Sequence, residues 1–306
     1  MCTMIFKHRT ESNELMIFKV LNTRMNLSDK DRQYYYRLKK GYEGEVKFDE
    51  FAEKLQTDCC ILNDLLFKVN NTIFQIDSLL IISGKIHIYE VKNLEGDYLY
   101  DPDTDSLSKL PKKEYNNPIY QIKRSESLLR QLLHNIGYPL PIEVNIVFIN
   151  PEFTLYQAPF NKNFIFPTQI KSHFQKLDTL TLAKNNTDRN LAAKLISLHI
   201  ENSPYTQVPP YKYEQLKKGI YCRCCHSFTI SMNGQNYVCE SCGCEERIET
   251  AIVRTIKEIK LLFPDWKITN SGVIEWCGPF NCRKKMSRIL KKNFKTVSNL
   301  RWTFYE

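Results

Sequence analysis

Two acidic residues and a lysine stand within two β-branched segments of the chain. Asp77 lies in the first segment, and Glu90 and Lys92 lie in the second. A short turn that contains glycine joins the segments, so together they predict a β-hairpin. With the turn centred on Ser83 and Gly84, Asp77 falls directly opposite Glu90, at a Cβ separation of about 4.5–5.5 Å. The two segments run from Thr72 to Ile82 and from Ile86 to Lys92.

This grouping of charges suits a divalent cation. Lys92 is two residues after Glu90, so both side chains point to the same face of their strand. Two carboxylates among apolar neighbours repel each other and lose hydration, unless a cation neutralises them. Mg²⁺ prefers oxygen ligands and keeps some waters, so it could hold a phosphodiester and supply an activated water. The alternative is a structural ion pair of Asp77, Glu90 and Lys92 on an exposed sheet face.

The residues around the hairpin resemble the nuclease-related domain (NERD) family of the PD-(D/E)xK, or restriction-endonuclease-like, superfamily. The likeness covers roughly residues 41–151 and implies an α/β core whose central mixed sheet is flanked by helices. One departure is that Gln75-Ile76 precede Asp77 without a proline, which is often absent in the wider superfamily. The features that carry the likeness are, in order, Gly41-x-x-Gly44-Glu45, Asp77, Glu90-Val91-Lys92-Asn93 with Gly96, and Asn117-Pro118 leading to Gln121.

The resemblance implies a nuclease that hydrolyses phosphodiester bonds with Mg²⁺ or Mn²⁺. Asp77 and Glu90 would bind the metal, and Lys92 would assist the attacking water. DNA is the expected substrate, although the residues themselves do not separate DNA from RNA. The resemblance assigns three further residues: Glu45 as an auxiliary acid near the metal, Gln121 as a support of the catalytic geometry, and Lys123 as a phosphate contact.

A cluster of cysteines predicts a second metal site. Six of the eleven cysteines fall within 23 residues, which favours metal ligands over disulfides in a large intracellular chain. Four of them form two C-x-x-C pairs, and each pair can supply two thiolates to tetrahedral zinc from a tight turn. The segment between the pairs reads as a hairpin around Asn233-Gly234. The predicted zinc ligands are Cys222, Cys225, Cys239 and Cys242.

The zinc is expected to be structural, because four protein thiolates leave no open position for a substrate. The spacing of the two C-x-x-C pairs resembles a zinc ribbon. Cys224, Cys244 and His226 complicate the choice of ligands, since each could replace one of the four. A redox dithiol is the alternative, and it accounts less well for two matched pairs.

The last fifth of the chain is strongly basic. From Glu249 to Glu306 there are twelve Lys and Arg against five Asp and Glu, whereas the whole chain has a net charge of +9. Helices are predicted over Thr250–Phe263 and Ile274–Cys277, and Asn281 is a candidate cap for a third helix. That third helix is amphipathic, so this region could make a helix-turn-helix-like contact with phosphates or simply close a small core. Its basic side carries Lys284, Lys285, Arg288, Lys291 and Lys292.

The remaining elements predict several segments around these sites. A helix capped by Ser28 runs to about Leu55, a second spans Ile119–Ile136, and a strand covers Glu143–Ile149. The predicted domains are an N-terminal helical extension (1–40), a nuclease-related domain (41–160), a helical connector (161–219), a zinc ribbon (220–248) and a basic helical, helix-turn-helix-like domain (249–306).

Composition narrows the class of protein. With 42% hydrophobic and 25% charged residues, the chain is neither disordered nor fibrous. It has no apolar run long enough to cross a membrane, and charges interrupt its first twenty residues, so we expect a cytoplasmic protein without a signal peptide. A homo-oligomer is compatible with the sequence.

Three hypotheses follow from these patterns. The first is a Mg²⁺-dependent nuclease that the zinc ribbon and basic tail deliver to nucleic acid. The second is a catalytically inactive DNA-binding protein with a decayed nuclease core, and the third is a zinc-stabilised adaptor. The complete set of Asp77, Glu90 and Lys92 favours the first, because decay is expected to remove at least one of them.

Overall fold

A computed structural model describes residues 3–111, 113–160, 163–180, 186–278, 283–299 and 302–306. The chain forms two compact units: unit 1 comprises Met1–Glu11 and Tyr36–Tyr205, and unit 2 comprises Ser12–Tyr35 and Thr206–Glu306. In chain order the elements are β1 (Met4–Lys7), α1 (Asn13–Arg24), α2 (Asp29–Ala52), β2 (Cys60–Val69), β3 (Thr72–Ile82), β4 (Lys85–Lys92), β5 (Gly96–Asp101), β6 (Ser106–Lys109), β7 (Lys113–Tyr115), α3 (Pro118–Asn135), β8 (Ile142–Phe148), β9 (Phe153–Tyr156), β10 (Phe164–Ile165), α4 (Ile170–Asp178), α5 (Asn186–Leu198), β11 (Ile230–Asn233), β12 (Asn236–Cys239), β13 (Glu245–Arg247), α6 (Ile248–Leu262), α7 (Asn270–Cys277), α8 (Arg283–Asn293), β14 (Thr296–Asn299) and β15 (Trp302–Tyr305).

Unit 1 is built on a six-stranded mixed sheet with the order β1-β2-β3-β4-β8-β10. The central strands β2, β3 and β4 are antiparallel, whereas β1, β8 and β10 join their neighbours in parallel. A separate four-stranded sheet, β7-β6-β5-β9, replaces the polar loop that Pro102, Pro111 and Pro118 predict from the sequence over Asp97–Asn117, so that prediction was wrong. Tyr98, Tyr100 and Leu107 explain this difference, because their side chains are buried in the core although most residues of the segment are polar.

Helices cover both faces of the central sheet. On one face, Leu129 of α3 and Ile88 of β4 belong to the same buried cluster, which α5 also joins. On the other face, Phe48 of α2 and Phe174 of α4 are buried with Tyr89. Neighbouring residues of one strand thus face opposite layers, as strand geometry requires. The predicted α/β core, a central mixed sheet flanked by helices, is confirmed.

Most of the predicted elements near the site are present. β3 has the predicted bounds, α3 begins at Pro118 with Asn117 as its cap, and α2 is unbroken through its glycines. The hairpin turn has positive φ at Ser83 (51°) and at Gly84 (73°). The sequence did not predict the short strands β1 and β10, because two to four residues carry too little periodicity to be recognised.

Unit 2 combines helices with a small three-stranded sheet of β11, β12 and β13. Its core contains the fully buried Trp276 and Arg24, whose guanidinium lies 4.4 Å from a Trp276 ring centroid and donates to Glu258 at 2.7 Å. The chain ends in the hairpin of β14 and β15 rather than in a purely helical tail. The predicted cap Asn281 lies outside the described residues.

The described part of the chain contains eight α-helices. None of these helices combines the length and the apolar composition that a membrane span requires.

Candidate active site and cysteine cluster

The hairpin of β3 and β4 has the register that the sequence predicts. Ser78 pairs with Tyr89, and the pairs that follow keep the same register to the turn. Pairing stops at Ser78, so Asp77 comes one residue before the paired segment and does not pair with Glu90. The Asp77 carboxylate instead accepts a hydrogen bond from the Val91 backbone N–H at 2.8 Å. Asp77 is therefore fixed beside the end of β4, with 7% of its surface exposed.

Glu90, Lys92 and Gln121 form a connected group. Lys92 Nζ donates to Glu90 Oε1 at 2.6 Å and to Gln121 Oε1 at 3.1 Å. The cap of α3 places Gln121, because Asn117 Oδ1 accepts from the Ile119 N–H at 3.0 Å and starts the helix there. Two elements that are distant in sequence thus bring together three of the predicted site residues.

Burial and mutual repulsion dominate the electrostatics of this group. Burial and the nearby Asp77 raise the pKa of Glu90 to about 8. Burial also raises the pKa of Asp77 above its usual value. For Lys92, burial alone would lower the pKa, but the Glu90 and Asp77 carboxylates raise it. The site therefore has more buried acid than its lysine offsets, which is a setting that favours a bound cation.

The predicted auxiliary acid Glu45 lies on α2 and contacts a residue that the sequence did not single out. Arg9 Nη1 donates to Glu45 Oε2 at 2.6 Å, and Arg9 also makes two hydrogen bonds to Asp49, one turn further along α2. Burial and Asp77 raise the pKa of Glu45 to about 8. Glu45 and Asp49 are four residues apart, so the sequence could have indicated that they share one face of a helix. No local pattern in the sequence points to Arg9.

The acidic residues do not form a closed cage. Among the described residues, cysteines form the groups of three or more possible metal ligands with donor atoms within 4.8 Å of one another, and acidic residues form no such group. Asp77 and Glu90 each keep one carboxylate oxygen that accepts no hydrogen bond from the described part of the chain. Mg²⁺ commonly takes one or two carboxylates and completes its shell with waters and phosphate oxygens, so this donor set fits it.

The predicted phosphate contacts lie on two helices, one in each unit. Lys123 is exposed on α3. On α8, the apolar side is buried through Met286, Ile289 and Leu290. Lys292 of that helix pairs with Glu249 at 2.9 Å. Of the predicted basic residues on α8, Lys285 is half-buried, and the exposed ones are Lys284, Arg288, Lys291 and Lys292.

The cysteines of the two C-x-x-C pairs converge in unit 2. Their four sulfur atoms lie within 4.8 Å of one another, so the group could hold a metal ion. Cys222 Sγ and Cys242 Sγ are 3.6 Å apart, and Cys225 Sγ and Cys239 Sγ are 3.5 Å apart. Four thiolates at zinc–sulfur distances of about 2.3 Å in a tetrahedron would be separated by about 3.8 Å, so the donor set fits zinc.

The hairpin and turns around these cysteines support the same geometry. β11 and β12 pair around Gly234, whose φ of 61° suits a two-residue hairpin loop. Gly243, with φ of 71°, follows the second pair. Cys224 and Cys244 are joined by a disulfide, so for these two of the six clustered cysteines the expectation of metal ligands rather than disulfides was wrong.

A mixed sheet that carries two acids and a lysine on neighbouring strands has the arrangement of a PD-(D/E)xK nuclease core. Residues 40–149 match the family model of the nuclease-related domain (NERD), which is part of that superfamily. The chain thus carries a nuclease-related domain that includes the stretch from Glu45 to Gln121, whereas Arg9 lies outside the match. No curated protein matches the chain, and no solved structure matches it.

Proposed function

We propose that this chain is a metal-dependent nuclease that hydrolyses phosphodiester bonds in DNA. Asp77 and Glu90 bind Mg²⁺ or Mn²⁺, and Lys92 assists the attacking water. The observation that carries the proposal is the contact of Lys92 Nζ with Glu90 at 2.6 Å, beside the buried Asp77, inside a nuclease-related domain. A purely structural ion pair would account for one acid and the lysine, but not for a second buried acid next to them.

A divalent cation bound here supplies Lewis acidity toward the phosphate and acidifies the attacking water. The residues of the chain provide the geometry. The Val91 N–H holds one Asp77 oxygen and leaves the other available. Gln121 and Glu90 hold Lys92 Nζ from two sides, so this ammonium group can donate a hydrogen bond to the water or to the phosphate. Glu45 acts as an auxiliary acid beside them, and Lys123 contacts a phosphate.

The remaining parts of the chain deliver the substrate. Cys222, Cys225, Cys239 and Cys242 hold a structural zinc ion that stabilises the ribbon. The basic face of α8 contacts phosphates without reading bases, because lysine and arginine without neutral polar partners recognise charge more than sequence. In this proposal, unit 1 cleaves the nucleic acid and unit 2 binds it.

One preparation of the full chain tests both metal proposals. Elemental analysis should find one zinc per chain, which Cys239→Ser should remove. DNA should be cleaved only after Mg²⁺ or Mn²⁺ is added, and Asp77→Asn should abolish this cleavage. Cleavage that persists in EDTA would contradict the metal mechanism. Salt-sensitive DNA binding without cleavage in either metal would favour the inactive DNA-binding protein instead.

A further inference from the structure

Asp77 occupies a break in the hydrogen-bond ladders of the central sheet. The pairing between β2 and β3 continues on both sides of Asp64 and Asp77 but skips these two residues. The pairing between β3 and β4 begins only at Ser78. Asp64 has a positive φ of 52°, which is uncommon outside glycine and marks the irregularity. The backbone carbonyl of Asp77 therefore needs a donor from outside the ladders.

Arg9 provides that donor. Its Nη2 donates to the Asp77 backbone oxygen at 2.8 Å. The same guanidinium binds Asp49 through Nε at 2.8 Å and through Nη2 at 3.0 Å, and it binds Glu45 through Nη1 at 2.6 Å. Only 3% of the Arg9 side chain is exposed. One buried side chain thus connects α2 with the strand position that carries a proposed metal ligand.

Lys7 binds strand β2 at the same break, whereas Arg9 binds β3. Its Nζ donates to the Asn63 backbone oxygen at 2.9 Å and to the Asp64 backbone oxygen at 2.8 Å. Lys7 is the last residue of β1, the edge strand that pairs with β2. The N-terminal segment therefore supplies two cations, Lys7 and Arg9, to backbone oxygens of β2 and β3 at the interruption of their ladder.

We propose that Arg9 is a positioning residue of the active site, which sets Asp77 and Glu45 relative to each other. The inference rests on the proposed nuclease function and extends its machinery beyond the matched residues 40–149. A guanidinium is required because its planar fork reaches Asp49 with two hydrogen bonds while it still donates to Glu45 and Asp77. A lysine at this position keeps the charge but cannot make these four contacts together.

The test compares wild type with Arg9→Lys in the full chain. Mn²⁺ affinity, measured by electron paramagnetic resonance without substrate, should weaken by roughly tenfold or more, as expected when a partner that orients a metal ligand is lost. In cleavage assays at saturating Mg²⁺, kcat should fall while the KM for DNA stays near the wild-type value, because Lys123 and the basic residues of α8, which are proposed to contact phosphates, are not hydrogen-bond partners of Arg9. Asp49→Asn removes the negative charge and one of the two acceptor oxygens that bind Arg9, and it should shift Mn²⁺ affinity in the same direction.

Arg24→Lys is the matched control. Arg24 is also a buried arginine paired with a carboxylate, but it lies in unit 2. The Arg24→Lys variant should lower thermal stability, as we also expect for Arg9→Lys, and it should leave Mn²⁺ affinity unchanged. Unchanged Mn²⁺ affinity in both Arg9→Lys and Asp49→Asn would overturn the inference.

The comparison also separates this inference from the proposed function. If wild type binds Mn²⁺ but cleaves no DNA, the nuclease proposal fails, whereas the shift in Mn²⁺ affinity still decides the role of Arg9. If wild type binds no Mn²⁺ at all, both proposals are overturned.

Discussion

Lys92 is the residue whose surroundings constrain its role most tightly. Its ammonium group is held by Glu90 and Gln121, one on its own strand and one on the following helix. Burial opposes its positive charge, but the Glu90 and Asp77 carboxylates raise the pKa of Lys92 above its usual value. A charged donor held between two acceptors is suited to orient water or to stabilise negative charge on phosphate.

Replacing Lys92 by alanine should reduce cleavage by roughly 10²–10⁴-fold, the range expected for a positioned proton-transfer or hydrogen-bonding group. Mn²⁺ affinity should not fall, because removing a cation beside two carboxylates does not weaken their attraction for a metal. Steady-state rates at saturating Mg²⁺ provide the measurement. Lys85→Ala is the control, since Lys85 lies on the same strand and also pairs with a glutamate, Glu143. A Lys92→Ala variant with the wild-type rate would remove Lys92 from the mechanism.

At the scale of elements, the contact between α2 and the end of β4 determines where Glu45 lies. Gly44 allows this contact, because a Cβ atom there would lie 2.5 Å from Asn93 Cβ and 3.1 Å from Ile149 Cγ2. Asn93 also donates from Nδ2 to the Lys40 backbone oxygen at 2.7 Å, so the residue that follows β4 is also joined to the helix one turn before the glycine. Gly41 differs, because a Cβ atom there would meet nothing within 4 Å.

Gly44→Ala and Gly41→Ala should therefore act in opposite directions. The first should destabilise the fold by about 1–3 kcal/mol, the usual effect of overpacking. The second should stabilise it by roughly 0.5–1 kcal/mol, because alanine restricts the unfolded chain and favours a helix interior. Thermal unfolding midpoints measured on the two variants and wild type give the comparison. Equal midpoints for the two variants would show that the packing at Gly44 relaxes without cost.

At the scale of the whole molecule, positive charge is concentrated outside the nuclease-related domain. The segment from Glu249 to Glu306 has an excess of seven positive charges, and the α8 basic residues include Lys284, Arg288 and Lys291, all exposed. Binding to DNA through such residues releases counterions from the phosphates, so affinity falls as salt is added. The proposed division between cutting and binding predicts that this salt dependence originates in unit 2.

Replacing Lys284, Arg288 and Lys291 together by glutamine should lower DNA affinity and reduce the slope of log Kd against log salt by up to about three. Fluorescence anisotropy with labelled duplex, in Ca²⁺ to prevent cleavage, gives the slope. The control removes the same number of charges at exposed positions of unit 1, through glutamine at Lys68, Lys171 and Lys194. A slope that changes equally in both triple variants would contradict the role of α8.

Local patterns in the sequence were sufficient for several elements whose residues interact with near neighbours, although they did not predict β2. The register of β3 and β4, the approximate span of α3 and the convergence of the two C-x-x-C pairs all follow from spacing along the chain. Each depends on turns, periodicity or caps, which act over a few residues. The contact between Lys92 and Glu90 belongs to the same group, because residues two apart on a strand share a face.

The contacts between distant segments were decided only by the tertiary structure. Asp77 does not pair with Glu90, although the register predicts that it should, because both ladders leave it out and Val91 and Arg9 supply its hydrogen bonds. Arg9 reaches it across 68 positions of sequence. A break in a sheet leaves backbone groups without partners, and which remote side chain satisfies them depends on the assembled fold rather than on any local pattern.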